Sequence, residues 1–166
     1  IEEATAQYEL VVELAPENVE AATTLGTLLA AQGDLGRAEV LCRRAVALAP
    51  DSHLAHADLG SILLNRGDFD GAAQEFSAAL KLGAVEEARI NLGIALLQLG
   101  RLNEAEQQLT RAVKELPESA DAHYNLAAVL LRMGRNEEAR ELLQRSLKLN
   151  PDHQPARIQL EALESN

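Results

Sequence analysis

The sequence predicts an all-α fold, an α-solenoid of about ten helices in antiparallel pairs, and two observations lead to it. The first is an internal repeat, because two residue series recur at steps of 34 or 33 residues and share one slip. The series are Gly33, Gly67, Gly100 and Gly134, and Ala4, Ala38, Ala72, Ala105 and Ala139. The second is helical periodicity: Ala72, Phe76 and Ala79 follow the i, i+4, i+7 spacing of one helix face. One helix pair cannot bury such a face alone, so each unit must pack on the next.

Helix start and stop signals divide the chain into units. Proline followed by Asn, Asp or Ser opens the first helix of a unit, as at Pro16 to Asn18 and Pro50 to Ser52. The glycine of the repeated series closes that helix, since glycine takes the left-handed conformation that helix ends favour. These signals predict one domain over 1–166 that contains a partial unit (its second helix) at 1–18, complete units at 19–52, 53–85, 86–119 and 120–153, and a capping helix at 154–166.

Small residues predict where helices approach closely. Each complete unit carries Gly or Ala directly after a leucine, at Gly26, Gly60, Gly93 and Ala127. Two helix axes come close only where no large side chain separates them. The last helix has Glu161 at this position, and burial of a carboxylate is costly, so we expect a solvated cap. The segment 82–85 is one residue short and lacks its proline, which predicts a tighter corner there.

Charge and composition exclude several classes of function. The chain has 15 basic and 26 acidic residues, a net charge of −11, so no broad basic surface attracts nucleic acid or anionic lipid. No apolar run approaches the roughly 18 to 20 residues that span a bilayer. We therefore expect a soluble protein without membrane insertion. The sequence does not identify its compartment, although the cytoplasm is slightly favoured. The charge is uneven, because residues 1–80 hold 4 basic and 13 acidic residues and residues 81–166 hold 11 and 13.

No group of residues predicts catalysis, a metal site or a cofactor. His53 and His56 have a spacing that could share a metal, but no third ligand is evident nearby. A structural role is therefore favoured for His56, and equally for His123 in the corresponding place. His153 is expected to be a solvated turn residue, and the lone Cys42 a packed and inert thiol. No phosphate loop or nucleophile elbow is present.

The spacing resembles the tetratricopeptide repeat, a 34-residue helix-turn-helix unit, across essentially the whole chain. The second complete unit has the residues of that pattern: Leu59, Gly60, Leu63, Gly67, Ala72, Phe76 and Ala79. The family pattern begins with a large residue, often Trp, and no unit of this chain has Trp at that position. The resemblance implies a right-handed superhelix of antiparallel helix pairs. It also implies a concave groove, lined by the first helix of each pair, that holds an extended peptide or a partner helix.

The resemblance places candidate peptide-binding residues on the groove face. They are Thr24, Asp58, Glu87, Ile90, Asn91, Ile94, Leu97, Asp121, Tyr124, Asn125 and Leu131. Asn91 and Asn125 resemble the asparagine ladder of some family members, in which the amide pairs with the ligand backbone; alternatively they solvate this face or tie one helix to its neighbour. The apolar members form a patch for a partner or for another part of a longer chain.

These residues predict a non-catalytic scaffold for protein interactions. The expected partner is a protein or peptide with basic and apolar residues, because the groove face has carboxylates and no Lys or Arg at the positions considered. For the same reason, acidic chaperone tails are disfavoured. Two alternatives remain: a self-assembly module that oligomerises, and a substrate-presenting arm of a larger enzyme.

Overall fold

A computed structural model describes residues 1–83 and 86–165, apart from the side chain of Glu86. These residues form ten α-helices and no strand, which confirms the all-α prediction. The helices are α1 (Glu2–Leu14), α2 (Val19–Ala31), α3 (Leu35–Leu48), α4 (His53–Arg66), α5 (Phe69–Leu82), α6 (Glu86–Gln98), α7 (Leu102–Glu115), α8 (Ala120–Arg132), α9 (Asn136–Leu149) and α10 (Gln154–Glu164). Within the described ranges, no helix is both long and apolar enough to cross a membrane.

Side-chain caps begin the helices where the sequence places them. Asn18, Ser52 and Ser119 each accept a hydrogen bond from the backbone N–H three residues later, and they start α2, α4 and α8. Asp34 and Asp68 cap α3 and α5 in the same way. The first helices end at turns in which the repeated glycine has a positive φ, for example 79° at Gly67. Local sequence therefore fixes where these five helices begin and where α2, α4, α6 and α8 end.

The chain divides into two compact units, Ile1–Ala88 and Arg89–Asn166. In the first unit, consecutive helices from α1 to α5 pack on one another. Phe76 of α5 is completely buried, and its ring lies against Gly60 of α4, where an added Cβ would meet ring carbons at 2.9 to 3.1 Å. Leu59, Ile62 and Leu63 of α4 are buried in the same unit. The glycine thus provides the space that the aromatic ring fills.

In the second unit, Leu109 of α7 lies against Gly93 of α6, and the packing continues from α7 through α8 and α9 to α10. Leu109 and Leu143 are completely buried. Ser146 is also buried, and its hydroxyl donates to the Ala120 carbonyl at 2.9 Å, so its polar atom is satisfied. On α10, Glu161 is exposed. The predicted corner at 82–85 includes Ala84 and Val85, which lie outside the described residues.

Candidate peptide-binding groove

A cavity of about 360 Å³ lies in the second unit between α6, α8 and α10. Nine residues line it, and we call them the second-unit groove: Ile94, Leu97, Gln98, Tyr124, Asn125, Ala128, Leu131, Arg132 and Gln159. Five of these, namely Ile94, Leu97, Tyr124, Asn125 and Leu131, are among the residues that the sequence predicts for peptide binding. The structure therefore brings together four of the five predicted apolar residues of α6 and α8, all except Ile90.

The second-unit groove combines an apolar wall with a few polar groups. Ile94 and Leu97 of α6 and Leu131 of α8 supply aliphatic surface, and Tyr124 supplies an aromatic ring. Around them are two amide side chains besides Asn125, and the guanidinium of Arg132. Ligand pockets in proteins are commonly built in this way, with apolar walls for affinity and few polar groups for orientation. Such a surface can hold an apolar side chain while it hydrogen-bonds to a backbone.

The amides of this groove differ in what they offer to a ligand. The Nδ2 of Asn125 donates to the Asp121 carbonyl of its own helix at 2.8 Å, so one donor is already used. The Oε1 of Gln159 is buried and accepts no hydrogen bond from any residue that the structure describes. The Asn91 side chain makes no hydrogen bond within the described residues, and Asn91 does not line the cavity. The two asparagines of the predicted ladder are therefore in different environments.

Tyr124 is positioned by His153, and the prediction that His153 is solvated is wrong. The imidazole is only 8% exposed, and its ring lies 4.9 Å from the Tyr124 ring, centre to centre. Its Nδ1 accepts the Ala156 N–H and caps α10, so the ring proton is on Nε2, which donates to Asp121 Oδ1 at 3.0 Å. His153 thus links α8 to α10 beside the groove.

The remaining predicted residues of the second unit contribute less surface. Ile90 is 8% exposed and does not line the cavity. Leu97 is equally buried but does line it. Asp121 is exposed and carries the hydrogen bond to His153. The apolar patch is therefore smaller than the predicted one, because Ile90 is not part of it.

In the first unit, the predicted residues are Thr24 of α2, Asp58 of α4 and Glu87 of α6. Thr24 and Asp58 are half-buried, and Glu87 is exposed. Burial raises the pKa of the Asp58 carboxyl, and this carboxyl makes no hydrogen bond or ion pair within the described residues. The pKa of the Cys42 thiol rises to about 12, first because the thiol is buried and second because of the charge of Asp58. The first unit thus holds a carboxylate without a compensating cation.

Asp58→Asn is expected to stabilise the protein at pH 7. The pKa of the Asp58 carboxyl is higher in the folded than in the unfolded protein. Below the unfolded pKa the carboxyl is protonated in both states and costs no stability. As the pH rises through the folded pKa, the carboxylate becomes charged in the folded protein and lowers its stability. The gain should be below about 1 kcal/mol, because the carboxyl is partly solvated. Thermal melts of the parent protein and of the Asp58→Asn variant at pH 7 and pH 3 measure this gain in stability. Asp70→Asn, at an exposed site, should give no gain, and a gain from Asp58→Asn that persists at pH 3 would contradict this explanation.

Comparison with protein families decides the assignment of the chain. The model described as tetratricopeptide repeat matches residues 1–53, 41–87, 57–115 and 90–153. The chain belongs to the tetratricopeptide repeat family. Tetratricopeptide repeats are scaffolds for protein interactions. No curated protein sequence matches this chain.

Solved structures of similar fold come from several proteins. MamA 41-end from Desulfovibrio magneticus RS-1 has a TM-score of 0.82 at 23% identity, over 92% of this chain and 86% of that one. Pseudomonas aeruginosa pilF has a TM-score of 0.79 at 28% identity, over 87% and 67%. The APC/C hetero-tetramer Cut9-Hcn1 has a TM-score of 0.87 at 22% identity, over 98% of this chain and 33% of that one. These likenesses concern the fold.

Four residues of the second-unit groove are not among the predicted peptide-binding residues: Gln98, Ala128, Arg132 and Gln159. Gln98 and Arg132 each lie six residues after the leucine that precedes the small residue of their tetratricopeptide unit, whereas the predicted face ends five residues after that leucine. At 100° per residue, position six lies only 40° from position two, which is part of the predicted face. Helical geometry could therefore have found both residues. Arg132 also places one cation in a groove for which none is predicted.

His56 of the first unit and His123 of the second unit have structural hydrogen-bond partners. His56 Nδ1 lies 2.6 Å from Glu75 Oε2, and its Nε2 lies 3.1 Å from the Pro50 carbonyl oxygen. Each ring nitrogen of His56 therefore has a hydrogen-bond partner within the first unit. In the second unit, His123 is buried, and its Nδ1 donates to the Ser119 carbonyl at 2.8 Å. Within residues 1–83 and 86–165, no three His, Cys, Asp or Glu side chains form a group that could hold a metal.

A larger cavity, of about 560 Å³, lies in the first unit between α1 and α3, and Leu25 of α2 reaches it. None of the predicted peptide-binding residues lines it. Its charged residues are Glu9, Glu13, Arg37 and Arg44, and Arg37 pairs with Glu9 at 2.6 Å. We favour the second-unit groove as the candidate site, because first helices of tetratricopeptide units form its walls and its amide groups can orient a backbone.

Proposed function

We propose that this tetratricopeptide repeat protein is a non-catalytic scaffold that binds an extended peptide on the groove face of its first helices. The observation that carries the proposal is the second-unit groove, in which aliphatic, aromatic and amide side chains converge around about 360 Å³. This volume lies at the lower end of the range for ligand pockets and suits one or two side chains. The apolar wall would contribute affinity through burial, and the polar groups would set the direction of the peptide.

The polar groups suit a peptide backbone better than a particular side chain. The Oδ1 of Asn125 and the Oε1 of Gln159 are acceptors for backbone N–H groups, once Gln159 rotates to expose its oxygen. Arg132 is exposed and makes no ion pair within the described residues, so its N–H groups can donate to peptide carbonyls. An extended peptide has both kinds of group at every residue, whereas a helical peptide has already used them. We therefore favour an extended ligand.

The charges of the face favour basic residues in that ligand. Asp58 and Glu87 in the first unit and Asp121 in the second are carboxylates on the predicted face, and Asp58 is half-buried without a cation. A lysine or arginine of the ligand would offset the free-energy cost of desolvating that carboxylate. Residues 1–80 carry 13 acidic and 4 basic residues, so long-range attraction acts in the same sense. The preferred ligand combines apolar residues for the second-unit groove with basic residues.

Fluorescence anisotropy with two labelled peptides tests this proposal. Both are short extended peptides of alternating apolar and charged residues, one with Lys and the other with Glu at the charged positions. We expect the Lys peptide to bind more tightly and to weaken as salt is added. Tyr124→Ala should reduce its affinity at least about tenfold, because an aromatic anchor is lost.

Val40→Ala is the matched control, since Val40 is exposed on α3 and lies outside the second-unit groove. The Val40→Ala protein should bind the Lys peptide with the same affinity as the parent protein. Equal or better binding of the Glu peptide would refute the charge preference. Unchanged binding by Tyr124→Ala would refute the location of the site.

A further inference from the structure

The cavity of about 560 Å³ between α1 and α3, which we call the first-unit cavity, has an unusual wall on α3. Gly36, Val40 and Arg44 line it at the i, i+4, i+8 spacing of one helix face, and Leu41 lies beside them. Val40 is 68% exposed, and Gly36 is also exposed. This face of α3 therefore presents apolar surface to the solvent next to a cavity.

The second helices of the other complete units are mostly polar at the same positions. The residues that correspond to Gly36, Val40 and Leu41 are Asp70, Gln74 and Glu75; Asn103, Gln107 and Gln108; and Glu137, Glu141 and Leu142. Gln74, Gln107 and Glu141 are all exposed, so the position of Val40 faces solvent in every complete unit. The fold therefore does not require an apolar residue there. The apolar wall of α3 indicates a surface for a ligand, because its residues adjoin a cavity and do not stand singly.

The other walls of the first-unit cavity are also largely apolar. Val12 of α1 and Leu25 of α2 line it, and Leu25 is almost fully buried. Glu9 of α1 pairs with Arg37 of α3 at 2.6 Å, so an ion pair joins the two helices at the cavity. The volume lies within the range of about 300 to 1,000 Å³ that ligand pockets have. The cavity thus suits a ligand with an apolar body.

Arg44 gives this cavity a cation without a partner. Residues 1–80 hold four basic residues, and three of them, Arg37, Arg43 and Arg66, pair with glutamates. Arg44 makes no hydrogen bond or ion pair within the described residues, and its Nε and Nη2 atoms are buried. A buried charge without a partner lowers the stability of the folded chain. An anionic group of a ligand would supply that partner.

The equivalent arginine of the last complete unit shows a paired arrangement. Arg145 pairs with Glu118 at 3.0 Å. Glu17 corresponds to Glu118, but it is exposed and makes no ion pair with Arg44. Arg44 lies along the cavity, so a turn of its guanidinium towards the cavity brings the buried nitrogens to a ligand. Nε and Nη2 form one edge of the guanidinium, and such an edge matches the two oxygens of a carboxylate.

We infer that the first-unit cavity binds a carboxylate with an aliphatic chain, with the chain between α1 and α3 and the carboxylate on Arg44. A peptide suits the cavity less well, because its backbone groups would need polar partners. The polar side chains of the cavity other than Arg44 are the paired Glu9 and Arg37 and the exposed Glu13. The site is separate from the second-unit groove and does not depend on the proposed peptide binding.

An NMR titration of the nitrogen-15-labelled whole chain tests this inference. The probes are octanoate, octylammonium and octanol, which share a chain length and have an anionic, a cationic and a neutral head group. Octanoate should move the amide signals of Gly36 and Leu41 in a saturable way and leave that of Gly134, in the second unit, in place. It should bind at least about tenfold more tightly than octylammonium, with octanol between the two.

Two variants separate the head group from the chain. Arg44→Met should weaken octanoate at least about tenfold and remove its preference over octanol, because the carboxylate loses its partner. Val40→Gln introduces the residue that two other units have at this position, so it is compatible with the fold. It should weaken octanoate and octanol by the same factor, at least about threefold, because only the apolar wall changes.

Arg43→Met is the matched control, since Arg43 is exposed, pairs with Glu39 and does not line the cavity. This variant should bind octanoate as the parent protein does. Tyr124→Ala should also leave octanoate binding unchanged while it weakens the Lys peptide, so that each of the two sites can fail without the other. Circular dichroism verifies that each variant is folded.

Three results would overturn the inference. The first is that octanoate causes no saturable change in the signals of Gly36 and Leu41. The second is that octylammonium binds as tightly as octanoate, because Arg44 would then not select the head group. The third is that the Glu peptide moves the same signals at lower concentrations than octanoate, because a protein segment would then be the occupant.

Discussion

Phe76→Ala is expected to lower the free energy of unfolding of the first unit by about 3 to 5 kcal/mol. The ring is completely buried and lies against Gly60, so alanine would leave a cavity that a glycine on the facing helix cannot fill. Leu59 and Leu63 of the same facing helix are almost fully buried and have little room to move into it. Urea denaturation followed by circular dichroism measures the loss.

Phe69→Ala is the control for this prediction, because Phe69 is the first residue of the same helix and is only half-buried. Its loss should be clearly smaller than that of Phe76→Ala. If the two substitutions destabilised the protein equally, the effect would reflect helix α5 as a whole rather than the contact between Phe76 and Gly60.

Gly93→Leu is expected to destabilise the second unit by about 1 to 3 kcal/mol through overpacking. Even a Cβ at this position would overlap Leu109 Cγ and lie less than 3 Å from both methyl carbons of Leu109. Leu109 is completely buried and cannot swing aside without displacing its neighbours. The helices α6 and α7 must therefore separate, and urea denaturation measures the result.

Two further variants distinguish overpacking from the general effect of replacing a glycine. Gly36→Ala changes an exposed glycine of α3 whose new Cβ would have nothing nearer than 3.9 Å, so it should stabilise α3 by about 0.5 to 1 kcal/mol. Leu109→Ala combined with Gly93→Leu should recover part of the loss from Gly93→Leu, because the two residues share one space. Additive losses from the two changes would contradict direct contact as the cause.

The sequence is sufficient to predict the helices because their boundaries are encoded locally. Asn18, Ser52 and Ser119 each cap the helix that they precede, and Gly67 has the left-handed conformation that ends α4. The buried stripe of the second helix in each complete unit follows from the 34-residue repeat and helical periodicity alone. None of these features depends on knowing which residues from distant parts of the chain meet.

The groove is predicted only in part, because its details depend on residues from successive units. His153 is separated from Tyr124 by 29 positions, and only the packing of α10 beside α8 brings its ring under cover. Ile90 has the spacing of a groove residue, but its side chain is buried. Helical periodicity predicts the face of the helix on which a residue lies and does not predict how far neighbouring helices bury it. Arg132 could have been found by continuing the face by one position.

The burial of Cys42 makes the chain's single cysteine a reporter of motion. The thiol is covered by Gly26 of α2, is completely buried, and has a pKa raised to about 12, so very little reactive thiolate is present at neutral pH. A thiol-specific reagent can therefore react only after α2 and α3 part. When the two helices close again faster than the reagent reacts, the labelling rate equals the rate of an exposed thiol multiplied by the fraction of time for which the pair is open. One natural side chain thus gives the free energy of local opening in the first unit without any added probe.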